Sequence, residues 1–141
     1  MSEAVRTNLE LARQTYALWN TGGVEALVES SLAAPDIVFY DIPEVPDTGI
    51  FRGPEEFAAR VRVIMESLDH FQLEVRSLEG CRDYTLATLE LTFTGPGSGV
   101  ALAGPQFHIF RWADGRVREF RIYGDGNQAR REYEHLTSQS A

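Results

Sequence analysis

Asp41, His108 and Tyr16 are the residues of this chain whose types suit holding or moving a proton in an apolar setting. His108 sits in Gln106-Phe107-His108-Ile109-Phe110-Arg111-Trp112, a run that reads as a strand. Successive strand side chains point to opposite faces, so His108 shares a face with Phe110 and Trp112 and not with Arg111. An imidazole among large apolar groups needs a partner or a cavity, because burying a polar group unpaired costs ~1–3 kcal/mol. Two readings stay open: a core histidine bonded to a backbone carbonyl, or a histidine lining a ligand pocket. Asp41 follows Phe39 on its strand face. It is either a turn aspartate bonding the backbone ahead of Pro43, or a base aimed into a cavity. A carboxylate and an imidazole of adjusted pKa can move a proton next to a carbonyl, and Tyr16 or His108 can donate to an enolate oxygen. Tyr16 and Trp19 also fit as plain core. Asp125 is well placed to cap a final helix.

The elements that must position these groups follow from periodicity. Val5, Leu9, Ala12, Tyr16 and Trp19 step by four and three, one face of a helix that Asn20-Thr21-Gly22-Gly23 ends. Val24, Leu27, Val28 and Leu32 support a second, short helix, broken at Ala33-Ala34-Pro35-Asp36. Residues 37–41 form a strand. Ile42 to Gly49 holds two prolines and a glycine without periodicity. The stretch from Ile42 to Arg52 is therefore expected to be the most mobile segment and part of the pocket rim. Gly53-Pro54-Glu55-Glu56 opens a third helix with Phe57, Val61, Ile64 and Leu68 on its buried stripe. After residue 69 the period becomes two. Strands are expected over 71–76, 84–94, 100–112 and 117–123, with a candidate break at Gly104-Pro105, and a weak helix over 125–135. Helices on one face of a mostly antiparallel, curved sheet make an α+β cone with one open mouth, a natural small-molecule site.

Composition removes several alternatives. The 141 residues suit one domain, spanning 1–141, and 43% hydrophobic content argues against disorder. A net charge of -8 opposes binding to phosphate backbones, so no nucleic-acid partner is expected. All 13 basic residues are Arg, which excludes Schiff-base chemistry on Lys and a P-loop. Cys81, the sole cysteine, permits no internal disulfide. Neither a dinucleotide fingerprint nor metal-ligand spacing is apparent, so no cofactor and no metal are expected. Polar Ser2, Glu3 and Arg6, with no long apolar run, predict a cytoplasmic protein without a signal peptide or membrane partner.

Three local patterns carry a family resemblance. They are Tyr16-Ala17-Leu18-Trp19-Asn20-Thr21-Gly22-Gly23, Phe51-Arg52-Gly53-Pro54-Glu55-Glu56-Phe57, and the strand pair Phe107 to Trp112 with Gly115-Arg116-Val117 to Tyr123. With the element order, they resemble the nuclear transport factor 2-like superfold over nearly the whole chain. Within it they resemble the SnoaL-like polyketide cyclases and ketosteroid isomerases. The resemblance implies a general base at Asp41 and puts His108 where those isomerases carry an oxyanion-donating aspartic acid. Their oxyanion tyrosine aligns with Thr15, one place before Tyr16. It also puts Asp125 near the acid/base aspartate of the cyclases.

The candidate catalytic residues are thus Asp41, His108, Asp125 and Tyr16. The candidate substrate-binding residues are Trp19, Phe39, Met65, Phe110, Phe120 and Ile122. The expected function is a cofactor-independent isomerase, cyclase or dehydratase acting on a small hydrophobic carbonyl compound, such as a polyketide or steroid-like molecule. The alternatives are a non-catalytic binding module and a structural dimer with a filled cone. An apolar outer sheet face at Phe107 and Ile109 predicts a homodimer.

Overall fold

The computed structural model describes residues 2–41, 49–66, 68–95 and 99–139. Its elements run α1(Glu3–Glu29), β1(Ala33–Tyr40), β2(Ile50–Arg52), α2(Gly53–Met65), β3(Asp69–Cys81), β4(Tyr84–Thr94), β5(Ala101–Ala113), β6(Arg116–Tyr123) and α3(Gly126–Gln139). The strands form one sheet in the order β2-β1-β6-β5-β4-β3. Only the β1–β6 pairing is parallel. The sheet curls without closing, and α1 and α2 complete the cone.

The two helices expected before the first strand are the two halves of α1, separated at Gly23, where φ is 66 and ψ is -158. That backbone region is essentially open to glycine alone. Ser2 caps the start of α1 by accepting from the Val5 N–H at 3.2 Å. The Asn20 side chain docks the end of the first helical half onto β3. Its Nδ2 donates to the Leu73 carbonyl at 2.8 Å, and its Oδ1 accepts from the Leu73 N–H at 3.0 Å. The side-chain amide thereby acts as an extra peptide unit beside the strand and holds Tyr16 and Trp19 over the sheet.

Two prolines read as breakers lie inside strands. Pro35 falls within β1, where pairing to β6 shifts register between Ala33 and Val38 and β2 pairs only from Val38 onward. Pro105 opposes Glu90 of β4, while β6 pairs with β5 only from Phe107 on. Each proline thus occupies a bulge or a stretch open on one side, where a missing N–H breaks no ladder. The expected rim segment falls largely on residues 42–48, outside the described residues; its end, Ile50–Arg52, is strand β2.

Packing divides between the two faces of the sheet. The inner face builds a core of Phe39, Leu73, Leu89, Phe110 and Trp112, joined by Tyr16 of α1 and Phe57 of α2. On the outer face Ile109, Leu86 and Tyr123 pack against Ala129 and Tyr133 of α3, with Phe107 beside them. The outer apolar face from which dimerisation was inferred is therefore covered by the chain's own C-terminal helix. Leu91 and Phe93 turn inward to the cavity described next.

Candidate ligand-binding and active site

Strand parity sends Phe39 and Asp41 of the first strand segment, His108 and Phe110 of β5, and Phe120 and Ile122 of β6 to the same side. Together they line a cavity of about 270 Å³ between sheet and helices. Tyr16 and Trp19 reach it from α1, and Met65 from the end of α2. An engineered apolar cavity of ~150 Å³ holds benzene, so this space suits a ligand of roughly two rings. The aromatic walls brace one another: Phe110 and Phe120 meet edge to face at 4.9 Å, as do His108 and Phe120.

Polar groups are few. Thr15, Tyr16, Asp41, Gln106 and His108 line the cavity among side chains that are otherwise mostly hydrocarbon or aromatic. His108 is 3% exposed. Its Nδ1 lies 2.9 Å from the Tyr16 hydroxyl, and its Nε2 lies 2.7 Å from Oε1 of Gln106. Burial pushes the imidazole pKa from 6.5 down to about 3, so the ring is neutral at physiological pH. Burial also pushes the Tyr16 phenol well above its ordinary value, which keeps it protonated. A neutral imidazole carries one proton. Because Gln106 Oε1 can only accept, that proton sits on Nε2, and Tyr16 donates to the bare Nδ1. Of the two readings left open by the sequence, the partner is a side-chain pair and the ring lines a cavity.

Asp41 takes a different partner. Its side chain is 3% exposed, and Arg60 of α2 donates to its Oδ2 from both Nε and Nη2 at 2.7 Å. Arg60 also lies over the Phe51 ring, 5.6 Å from its centroid. The guanidinium was not among the candidates. Its signal was available: it stands three residues after Phe57 and four before Ile64, on the flank of the buried stripe, where a long cation can reach inward. Gln106 was missed as well, although strand parity places it on the His108 face, two residues earlier.

Asp125 is corrected. It does not line the cavity and is exposed. Its Oδ1 accepts from the Asn127 and Gln128 N–H groups at 2.8 and 3.3 Å, so it serves as the N-cap of α3. Gly126 opens α3 where an added Cβ would meet the Phe107 ring at 2.9 Å. Among the described residues, the cavity wall therefore holds one carboxylate, Asp41, and one imidazole, His108.

A family model for the SnoaL-like domain matches residues 12–120. No curated protein matches the chain in sequence. Several solved structures share the fold. A protein named as a SnoaL-like polyketide cyclase from Jannaschia sp. CCS1 is 19% identical, with a TM-score of 0.76 over 100% of this chain and 98% of that one. A protein with a ketosteroid isomerase-like fold from Catenulispora acidiphila DSM 44928, in complex with trimethylamine, is 15% identical, with a TM-score of 0.69 over 81% of this chain and 84% of that one. Bal32a, from a soil-derived mobile gene cassette, is 20% identical, with a TM-score of 0.74 over 93% and 98% of the two chains. At these identities the likeness concerns the fold alone.

Proposed function

The chain belongs to the SnoaL-like domain family, and on that footing we propose that it is a cofactor-independent acid/base enzyme of the isomerase, cyclase or dehydratase type. It acts on a small hydrophobic carbonyl compound, such as a polyketide or steroid-like molecule, bound within one SnoaL-like domain spanning 1–141. The observation that carries this reading is a single apolar cavity whose wall holds Asp41 at one place and the bonded pair Tyr16–His108 at another. Asp41 is the base that takes the proton from the carbon beside the carbonyl. The Tyr16 hydroxyl, braced from behind by His108, contacts an oxygen of the substrate. Trp19, Phe39, Met65, Phe110, Phe120 and Ile122 bind its apolar body. Desolvation within such walls strengthens every electrostatic contact with the reacting atoms.

The test is proton exchange. A ketone found to bind by thermal shift is incubated with the protein in deuterated water. Base catalysis at Asp41 exchanges the proton beside the carbonyl for deuterium, read by mass spectrometry. Asp41→Asn should slow the exchange by ~10²–10⁴. Exchange at the uncatalysed rate in the unaltered protein would refute the enzyme.

One observation favours a second reading, a non-catalytic binding module. Thr15, Tyr16, Asp41, Gln106 and His108 of the wall already have protein partners: Thr15 at the Leu11 carbonyl, Tyr16 and Gln106 at His108, Asp41 at Arg60. In that case Asp41→Asn leaves ligand affinity within a few-fold. A cytoplasmic setting without cofactor belongs to the same proposal; no described helix is long and apolar enough to cross a membrane. The homodimer expected from the sequence loses its stated basis, since α3 covers Phe107 and Ile109; sedimentation at micromolar concentration measures it directly.

A further inference from the structure

Gln106, His108 and Tyr16 form a hydrogen-bonded row along the cavity wall, and all three line it. A row of this kind has a direction. Gln106 Oε1 accepts, so Nε2–H of His108 points to it, Nδ1 is bare, and the Tyr16 proton points to Nδ1. The oxygen of Tyr16 then keeps a lone pair with which it can accept from a ligand in the cavity that Tyr16 lines. A hydroxyl bound there can donate; a bare carbonyl would meet lone pair against lone pair. The opposite direction needs the glutamine amide rotated, the imidazole proton on Nδ1, and the Tyr16 proton released toward the ligand.

We infer that Gln106 is a positioning residue that fixes His108 as its Nε2–H tautomer, and that the cavity in consequence selects ligands bearing a hydroxyl, such as a phenol or an enol. The inference rests on the reading of this cavity as the ligand site and narrows its substrate class. The carbonyl compound of the proposed reaction then carries a hydroxyl at the Tyr16 end and presents its acidic carbon toward Asp41. Mismatching a buried polar pair costs ~1–3 kcal/mol, which is roughly a 5- to 150-fold difference in affinity between a hydroxyl ligand and its O-methyl counterpart. The surroundings of His108 leave Gln106 in control of the tautomer. Tyr16 faces it from α1, the Phe110 and Phe120 rings from β5 and β6, and Ala87 and Ile122 are its neighbours across the ladder. Asp41 is the one carboxylate among the described lining residues, and it is bonded to Arg60.

Two measurements test this on the full chain. Long-range proton–nitrogen NMR of ¹⁵N-histidine-labelled protein reads the tautomer without a ligand. The Nε2–H pattern is expected in the unaltered protein and in Gln106→Glu, whose carboxylate also only accepts. A mixture of tautomers is expected in Gln106→Met. A purely structural role for Gln106 would leave the tautomer unmoved. Isothermal titration with 2-naphthol and 2-methoxynaphthalene reads the selectivity. Naphthol should bind at least 5-fold more tightly to the unaltered protein, and the preference should shrink below 2-fold in Gln106→Met. An Nδ1–H pattern in the unaltered protein, or equal binding of the two compounds, overturns the inference. Binding of neither compound refutes the ligand-site reading and the selectivity with it, while the tautomer measurement still decides the role of Gln106.

Discussion

Acidification should weaken this protein through His108, and the size of the effect can be worked out. The folded ring resists protonation down to about pH 3, because burial lowers its pKa from 6.5. The unfolded chain has no such burial and takes up a proton as pH falls through ~6.5. Below that point the unfolded state binds more protons than the folded one, so stability falls with falling pH. The stabilising effect of the neutral ring is fully present above pH ~6.5 and is lost progressively down to pH ~3. At 1.36 kcal/mol per unit, His108 alone should cost about 2 kcal/mol at pH 5 and about 4 kcal/mol at pH 3. The assay is urea unfolding of the unaltered protein and of His108→Phe at pH 7.5 and pH 5.0. With an m-value near 2 kcal/mol/M, the unaltered protein should lose about 1 M more of its midpoint than the variant does. Comparing the two proteins cancels every other titrating group. It also cancels the separate effect of leaving the Tyr16 hydroxyl without its acceptor. Equal midpoint losses in the two proteins would show that the imidazole is not held neutral by burial.

Asp41→Asn, Arg60→Met and the double variant should show a coupling of ~1–3 kcal/mol in denaturant unfolding; the range lies below the ~3–5 kcal/mol of a fully buried pair because Arg60 is 20% exposed. Additive effects would mean that the guanidinium contributes packing only. Asn20→Ala removes both bonds to the Leu73 backbone and should cost ~1–3 kcal/mol, with a change in the fluorescence of Trp19, which packs edge to face on Phe71 at 5.6 Å. A loss under ~0.5 kcal/mol would count against the docking role.

Strand parity made much of the cavity legible before any coordinates. Alternation sets Phe39 with Asp41, His108 with Phe110, and Phe120 with Ile122 on one side of each strand, the family resemblance points those sides inward, and all six line the cavity. Their chemical roles remain proposals. Partners across elements were harder to read. The Asp41–Arg60 pair joins the end of β1 to the flank of α2, and no local period encodes that meeting. Prolines misled for a related reason. Pro35 and Pro105 break a strand only where their missing N–H would face a neighbour, and which edges are open depends on strand order. The glycine pair at 22 and 23 read as a helix end, and Gly23 with φ 66 and ψ -158 does separate two helical halves of α1, the second ending at Glu29. Asp125 had two good readings in the sequence, and the position of α3 relative to the cone decided between them.

The parallel pairing of β1 with β6 has a consequence for how the chain assembles. β1 lies between β2 and β6 in the sheet, so its main partner is the last strand made. During synthesis Phe39 leaves the ribosome long before Phe120, the residue it is paired with, exists. Until then β1 has only the three-residue β2 to bond. The meander β3–β6 pairs neighbours in sequence, whereas joining β1 to β6 closes a long loop at the entropic cost of non-local contact. An apolar strand carrying Ile37 and Phe39 is exposed in the interval, and that interval is when the chain is most open to aggregation or to chaperone capture. Because Asp41 follows β1 directly, the non-local pairing that seats β1 beside β6 also seats the candidate base and the wall of the cavity it lines.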